Sequence, residues 1–263
     1  MILLHNAPEH QAYNTHLNYI RCLASLTNGT TLQYNNSLQK AALPDIDQKK
    51  NLIALTKKSL NDEKKIVDID KDYSYASTSW LPVKSYYLIF NVLLTIEYSI
   101  KIQKGIFKQG HTKCVDEFTR KLKAKEIQFS NKTLNQVFDQ TILTHKVASG
   151  ANLSSRTTDD DMYKMAIRKI AKYKEDNWKQ TSKINLKKKS DKIKHQNYLS
   201  NFSVSIFDFP YYMRIRSNYR DFAFIEGVTT DETAEYFSAF FAFTVYFVKM
   251  LEKTKSDLVT ARN

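Results

Sequence analysis

The stretch Phe209–Glu226, FPYYMRIRSNYRDFAFIE, carries the densest chemistry in the chain. Arg214, Arg216 and Arg220 follow Pro210, with Tyr211, Tyr212 and Tyr219 among them and Asp221 beside the last arginine. On a helix, Arg216 and Arg220 lie one turn apart and point the same way; Arg214 and Asn218 do likewise on another face. A guanidinium offers a planar fork of donors that matches phosphodiester oxygens, and the tyrosines could stack on unpaired bases. The residues therefore point to an RNA strand as ligand. A structural alternative stays open, in which the arginines and Asp221 staple the helix to Glu97.

A second basic feature precedes this one. Between Asp161 and Lys194 there are twelve Lys or Arg against four Asp or Glu, a large share of the chain's net charge of +13. Its end, KINLKKKSDKIK, contains Lys183, Lys187, Lys188, Lys189, Lys192 and Lys194. Lysines act on a nucleic-acid backbone as point charges that release counterions. Such a run also serves as a solvated helix face.

Other chemistries lack their signatures. The five glycines, at 29, 105, 110, 150 and 227, never cluster into a phosphate loop, which excludes P-loop and Rossmann nucleotide chemistry. The six histidines, at 5, 10, 16, 111, 145 and 195, show no metal-ligand spacing, so neither a metal nor another cofactor is expected. Asp159–Asp161 precede a helix and read as its cap. Cys22 and Cys114 are distant and form no CxxC motif. The first ten residues lack the basic region of a signal peptide, and the apolar run Tyr236–Leu251 falls short of the ~20 residues a bilayer needs. The chain reads as cytoplasmic, without a membrane segment.

The elements that would position these residues are helical throughout. Few glycines and prolines, abundant aromatics and 42% hydrophobic residues predict an all-α bundle in one domain. Helices are predicted over 8–27, shortly after Pro44, over 79–104 with Pro82 in the first turn, 111–126, 131–148, 160–180, 210–224 and 231–254, the last capped by Thr230. Asp62–Asp72 reads as a connector, and Tyr198–Phe209 as partly extended. The run Tyr86–Ile102 is apolar on nearly every side and belongs at a bundle centre, where Glu97 and Lys101 are spaced to pair at i,i+4.

An apolar helix bearing Glu97-x-x-x-Lys101, a late helix opening with an Arg-rich polar motif, a short turn and a final amphipathic helix together resemble the HEPN superfamily. The likeness covers 75–255, with 1–74 as an N-terminal helical extension and 151–200 as an inserted basic helical region. It implies a HEPN-like helical bundle that forms a homodimer. It also implies an RNA-directed, metal-independent endoribonuclease of a toxin–antitoxin or phage-defence system, with a cognate antitoxin or defence-system partner. The catalytic candidates on this resemblance are Arg214, Arg216, Tyr219, Arg220 and Asp221, supported by Glu97, Lys101 and Asn218. The family motif places a histidine four to six residues after its arginine. Here four intervening residues lead from Arg214 to Tyr219 and from Arg216 to Asp221. Tyrosine, with a pKa near ~10, is a poor proton shuttle at neutral pH. The alternatives are a non-catalytic HEPN-like protein-interaction module and a basic nucleic-acid-binding adaptor.

Overall fold

The computed structural model describes residues 11–34, 46–100, 110–145, 157–219 and 227–260; at 11, 46, 98–100, 218–219 and 254–260 it describes the backbone alone. It contains α1 (Gln11–Thr27), β1 (Leu32–Tyr34), α2 (Ile46–Ile69), α3 (Tyr73–Ile100), α4 (His111–Lys123), β2 (Ile127–Phe129), α5 (Asp159–Thr181), α6 (Lys189–Ser200), α7 (Asp208–Tyr219) and α8 (Thr230–Thr260). The protein is an all-α bundle with one small antiparallel ribbon, in which Leu32 pairs with Phe129, Gln33 with Gln128 and Tyr34 with Ile127.

The centre of the bundle is the pair α3 and α8, flanked by α1 on α8 and by α2 and α7 on α3. Tyr236, Phe240, Phe243 and Phe247 recur at helical spacing on α8 and are fully buried. Phe209 of α7 packs edge-on to Phe243, with ring centroids 5.2 Å apart, and Phe207 meets Phe247 in the same manner at 6.3 Å. The apolar part of this helix is longer than expected: Thr230–Lys253 is long and apolar enough to cross a membrane. Its most apolar window is 56% buried within the protein, as befits a core helix. Its cap is Thr229 rather than Thr230: the Thr229 hydroxyl accepts from Glu232 N–H, and Glu232 accepts from Thr229 N–H, a reciprocal capping box. At α5 the same device joins Thr158 and Asp161; the cap is Thr158 and not the aspartates expected there, and Asp159–Asp161 lie inside the first turn, where they offset its dipole.

Several boundaries differ from expectation for identifiable reasons. α2 runs on to Ile69 through the expected connector, because Val67 continues the buried face of Ile53 and Leu60. α3 starts at Tyr73, which leaves Pro82 inside the helix. The turns before it are held by tertiary packing of Ser74, Ser77, Thr78 and Leu81, all buried. The helix predicted over 131–148 is absent as far as residue 145. Asn131 and Asp139 accept the N–H groups of Thr133 and Thr141, turning the chain into two short 3₁₀ turns, Thr133–Asn135 and Gln140–Leu143. Phe138 between them exchanges both backbone hydrogen bonds with Val204, at 3.0 and 2.9 Å.

α5 falls within the stretch expected to be an insertion, yet Tyr163, Ala166, Ile167 and Ile170 are buried where it packs on α1 and α7. A polar knot fixes that contact. The Lys174 ammonium, its side chain 8% exposed, donates to Asp116 Oδ1 at 2.7 Å, Ser203 O at 2.8 Å and Asp208 Oδ1 at 2.9 Å, so each of its three hydrogens has an acceptor. Asp208, fully buried, also accepts from Ser205 N–H at 2.9 Å and the Thr119 hydroxyl at 3.2 Å. Burial opposes the Lys174 charge, but Asp208 and Asp116 outweigh it and hold the ammonium protonated above the usual lysine range. Lys174→Met, which strands Asp208, is expected to lower the unfolding free energy by about 3–5 kcal/mol. Lys174→Met/Asp208→Asn should lose less than the sum of the two single variants. Urea unfolding followed by circular dichroism measures both; additive losses would mean that the pair is not coupled.

Candidate functional site

α7 positions the arginines. Its first turn is tied down by Asp208, and Pro210 sits early enough to do no damage. Residues two apart on a helix diverge by about 200°, so Arg214 and Arg216 leave α7 on opposite sides. They form two sites rather than one battery.

Arg214 enters a box of aromatic rings between α7, α3 and the start of α4. Its guanidinium carbon lies 5.1 Å from the ring centroids of both Tyr86 and Tyr87 and 5.9 Å from that of Tyr211. Its Nε is buried without a hydrogen-bond partner, and no acid pairs with it among the described residues. His111, the first residue of α4, closes the box: its Nδ1 is 2.7 Å from the Tyr86 hydroxyl and its ring centroid 4.6 Å from that of Phe90. Burial and then the Arg214 charge lower the His111 pKa, so the imidazole is neutral at pH 7. Burial drives the Tyr86 phenol far above its usual range. The phenol therefore keeps its proton, and His111 Nδ1 is its acceptor among the described residues. In that tautomer the other ring nitrogen carries a hydrogen. Arg214 and His111 together are thus hydrogen-bond donors with one unneutralised positive charge, a combination that suits an anion.

Arg216 faces α5 and α1. It lies 4.1 Å above the Tyr173 ring and hydrogen-bonds its hydroxyl. Lys169 and His16 are close enough to feel its charge. Burial, then Lys169 and Arg216, push the His16 pKa down to about 3.

The remaining predicted residues divide sharply. Tyr211 and Tyr212 are 9% and 2% exposed, so they cannot stack on bases as expected. Tyr211 is spent on the box and on Thr112, whose hydroxyl is 3.0 Å from its own, and Tyr212 on the core. Glu97 is buried and ion-pairs with Lys121 of α4; among the described residues no ion pair joins it to Arg214 or Arg216. Lys183, Lys187, Lys188, Lys189 and Lys192 are exposed around the α5–α6 turn and make no ion pair among the described residues; Lys194 is exposed and pairs with Asp191 at 3.3 Å. Asp191 shapes the turn by accepting from Asn185 N–H at 3.0 Å. Lys101, Arg220 and Asp221 lie outside the described residues, as do the side chains of Asn218 and Tyr219. Among the described residues no His, Cys, Asp or Glu cluster could hold a metal ion. Cys22 and Cys114 are buried free thiols, each pushed up to about 12 by burial and thereby unreactive.

No family model, curated protein or solved structure matches the chain. The site is therefore read from its own geometry. His111 is the residue that sequence reasoning passed over. Its one signal is its place directly after Gly110 at a predicted helix start; its neighbours Tyr86 and Arg214 come from elements distant in the chain.

Two outcomes test this geometry. Arg214→Met should raise the His111 pKa, leaving it still below an ordinary histidine because the partial burial remains; an NMR titration of the imidazole would read this, and an unmoved pKa would remove the guanidinium from the box. His16 has an ordinary value of 6.5 and a folded value of about 3, so between those pH values the unfolded chain binds a proton that the folded chain does not. Its contribution is complete above pH 6.5 and is lost as the pH falls. His16→Gln should flatten the acid limb of a stability-versus-pH curve.

Proposed function

We propose that the protein binds RNA as a HEPN-like module, with Arg214 and His111 receiving one backbone phosphate and the α5–α6 turn contributing a diffuse positive field. The observation that carries this reading is the Arg214 box, where aromatic rings, not carboxylates, hold a guanidinium. Its charge is left for a ligand from outside. Lys183, Lys187, Lys188, Lys189 and Lys192 would add sequence-independent attraction that weakens with salt.

A second reading, a metal-independent endoribonuclease of a defence or toxin system, is favoured by the meeting of Arg214 with a histidine in one box. Attack by a ribose 2′-hydroxyl needs a base to take its proton and an acid to protonate the leaving 5′-oxygen. In the His111 tautomer whose Nδ1 accepts the Tyr86 hydrogen bond and whose Nε2 carries a hydrogen, no lone pair is free to act as that base. The geometry thus supports binding better than cleavage. On the HEPN-like reading a second copy of the chain would complete the assembly.

The deciding experiment incubates the purified chain with a mixed RNA pool in chelator and reads both filter binding and strand scission. Wild type should bind without cutting, Arg214→Met and His111→Asn should each bind roughly 10-fold more weakly, and Lys187→Gln/Lys188→Gln should mainly lower the salt slope. Scission abolished by His111→Asn would establish the second reading. A wild type that neither binds nor cuts would end both.

A further inference from the structure

A separate basic site lies at the other end of α4. Leu122, Lys123, Lys125, Gln128, Lys132, Asn135 and Val137 line an open groove of about 420 Å³, within the ~300–1,000 Å³ typical of small-ligand sites. No carboxylate lines it among the described residues. Of the neighbouring acids, Glu126 is paired with Arg120 at 2.7 Å, and Asp139 accepts from the N–H and hydroxyl of Thr141 and feels the charge of Lys123. Lys123 and Lys132 are exposed and make no ion pair among the described residues.

Lys125 is the telling residue. α4 ends in a Schellman turn, with Glu126 N–H bonded to Lys121 O at 2.9 Å and Lys125 N–H to Leu122 O at 3.1 Å. The turn puts Lys125 in the left-handed region, at φ 57°, where glycine is the low-cost residue. Lys183 ends α5 in the same conformation, at φ 50°; at Lys125 the turn also sets the side chain on the rim of the groove.

The groove also has a polar reader. Asn135 is fully used, bridging the Phe129 N–H and C=O, whereas the half-buried Gln128 amide makes no hydrogen bond among the described residues. Val137 supplies a partly exposed apolar wall.

We propose that this groove binds a phosphate ester of nucleotide size, its phosphate held by Lys123, Lys125 and Lys132 and its base set against Val137 within reach of the Gln128 amide. The ligand is either a free nucleotide or one unit of a strand, and the site is independent of the Arg214 box.

Calorimetric titration of the full chain with ATP and, separately, with a short single-stranded RNA tests the proposal. Binding of ATP alone identifies a free nucleotide; binding of the RNA with Arg214→Met in place identifies a strand unit. Lys125→Gly relaxes the turn, so its melting temperature should equal or exceed that of wild type while its affinity falls by roughly 10-fold, as should that of Lys123→Gln/Lys132→Gln. Lys58→Gln/Lys249→Gln, an equal charge change at exposed lysines of α2 and α8, should leave ATP affinity within about 2-fold of wild type. Equal losses from the groove and control pairs, undiminished affinity in Lys125→Gly, or no binding of either ligand would overturn the proposal. Loss of RNA binding in Arg214→Met, with ATP binding intact, would leave the groove standing and bear on the box alone.

Discussion

A lysine ammonium inside a protein core is tolerated only when opposite charge and hydrogen-bond acceptors fully surround it, and Lys174 meets that condition through Asp116, Asp208 and the Ser203 carbonyl. The requirement is geometric as well as energetic. Three acceptors drawn from α4, α7 and the strand-like segment before α7 must converge on one atom of α5, which leaves those elements little freedom to slide. The register of α7 follows from this, because Asp208 is its first residue. With the register set, Arg214 must face α3 and α4, and Arg216 must face α5. The arrangement of basic groups at the surface thus descends from the buried pairing of Lys174 with Asp208.

The two arginines illustrate a choice that proteins make about buried positive charge. A carboxylate partner fixes a guanidinium but cancels its charge; an aromatic face fixes it while leaving most of the field intact. At Arg214 the second solution prevails, with two tyrosines of α3 and one of α7 around it. Their hydroxyls are occupied elsewhere, on His111 and Thr112 for Tyr86 and Tyr211, so the rings serve the arginine with their faces alone. Arg120 shows the contrasting solution in the same molecule. Glu117 and Glu126 clamp it from both sides, and it contributes little field to the nearby lysine groove.

Much of the fold was legible because its signals are local. The glycine before α4, the aspartates opening α5 and the aromatic periodicity of α8 each fixed an element within a few residues. The all-α class followed from the scarcity of glycine and proline. What failed was decided by tertiary partners. Pro82 reads as a helix start until the buried residues on both sides of it are seen to carry the helix through. Residues 131–148 have an amphipathic pattern, but Asn131, Asp139 and the pairing of Phe138 with Val204 outbid it. For the site, the arginines were conspicuous and the histidine was not. Arginine clustering is visible along a chain, whereas the box depends on residues from three separate elements.

The contact of α1 with α8 joins elements far apart in the sequence. The Tyr13 hydroxyl of α1 donates to the Glu232 carbonyl at 2.6 Å, across a sequence separation of 219 residues. During synthesis at ~5–20 residues per second, the face of α1 that meets α8, Tyr13 included, therefore waits roughly 10–45 s before that helix emerges from the ribosome. A nascent chain with an apolar helix face exposed that long is a natural client for a holding chaperone.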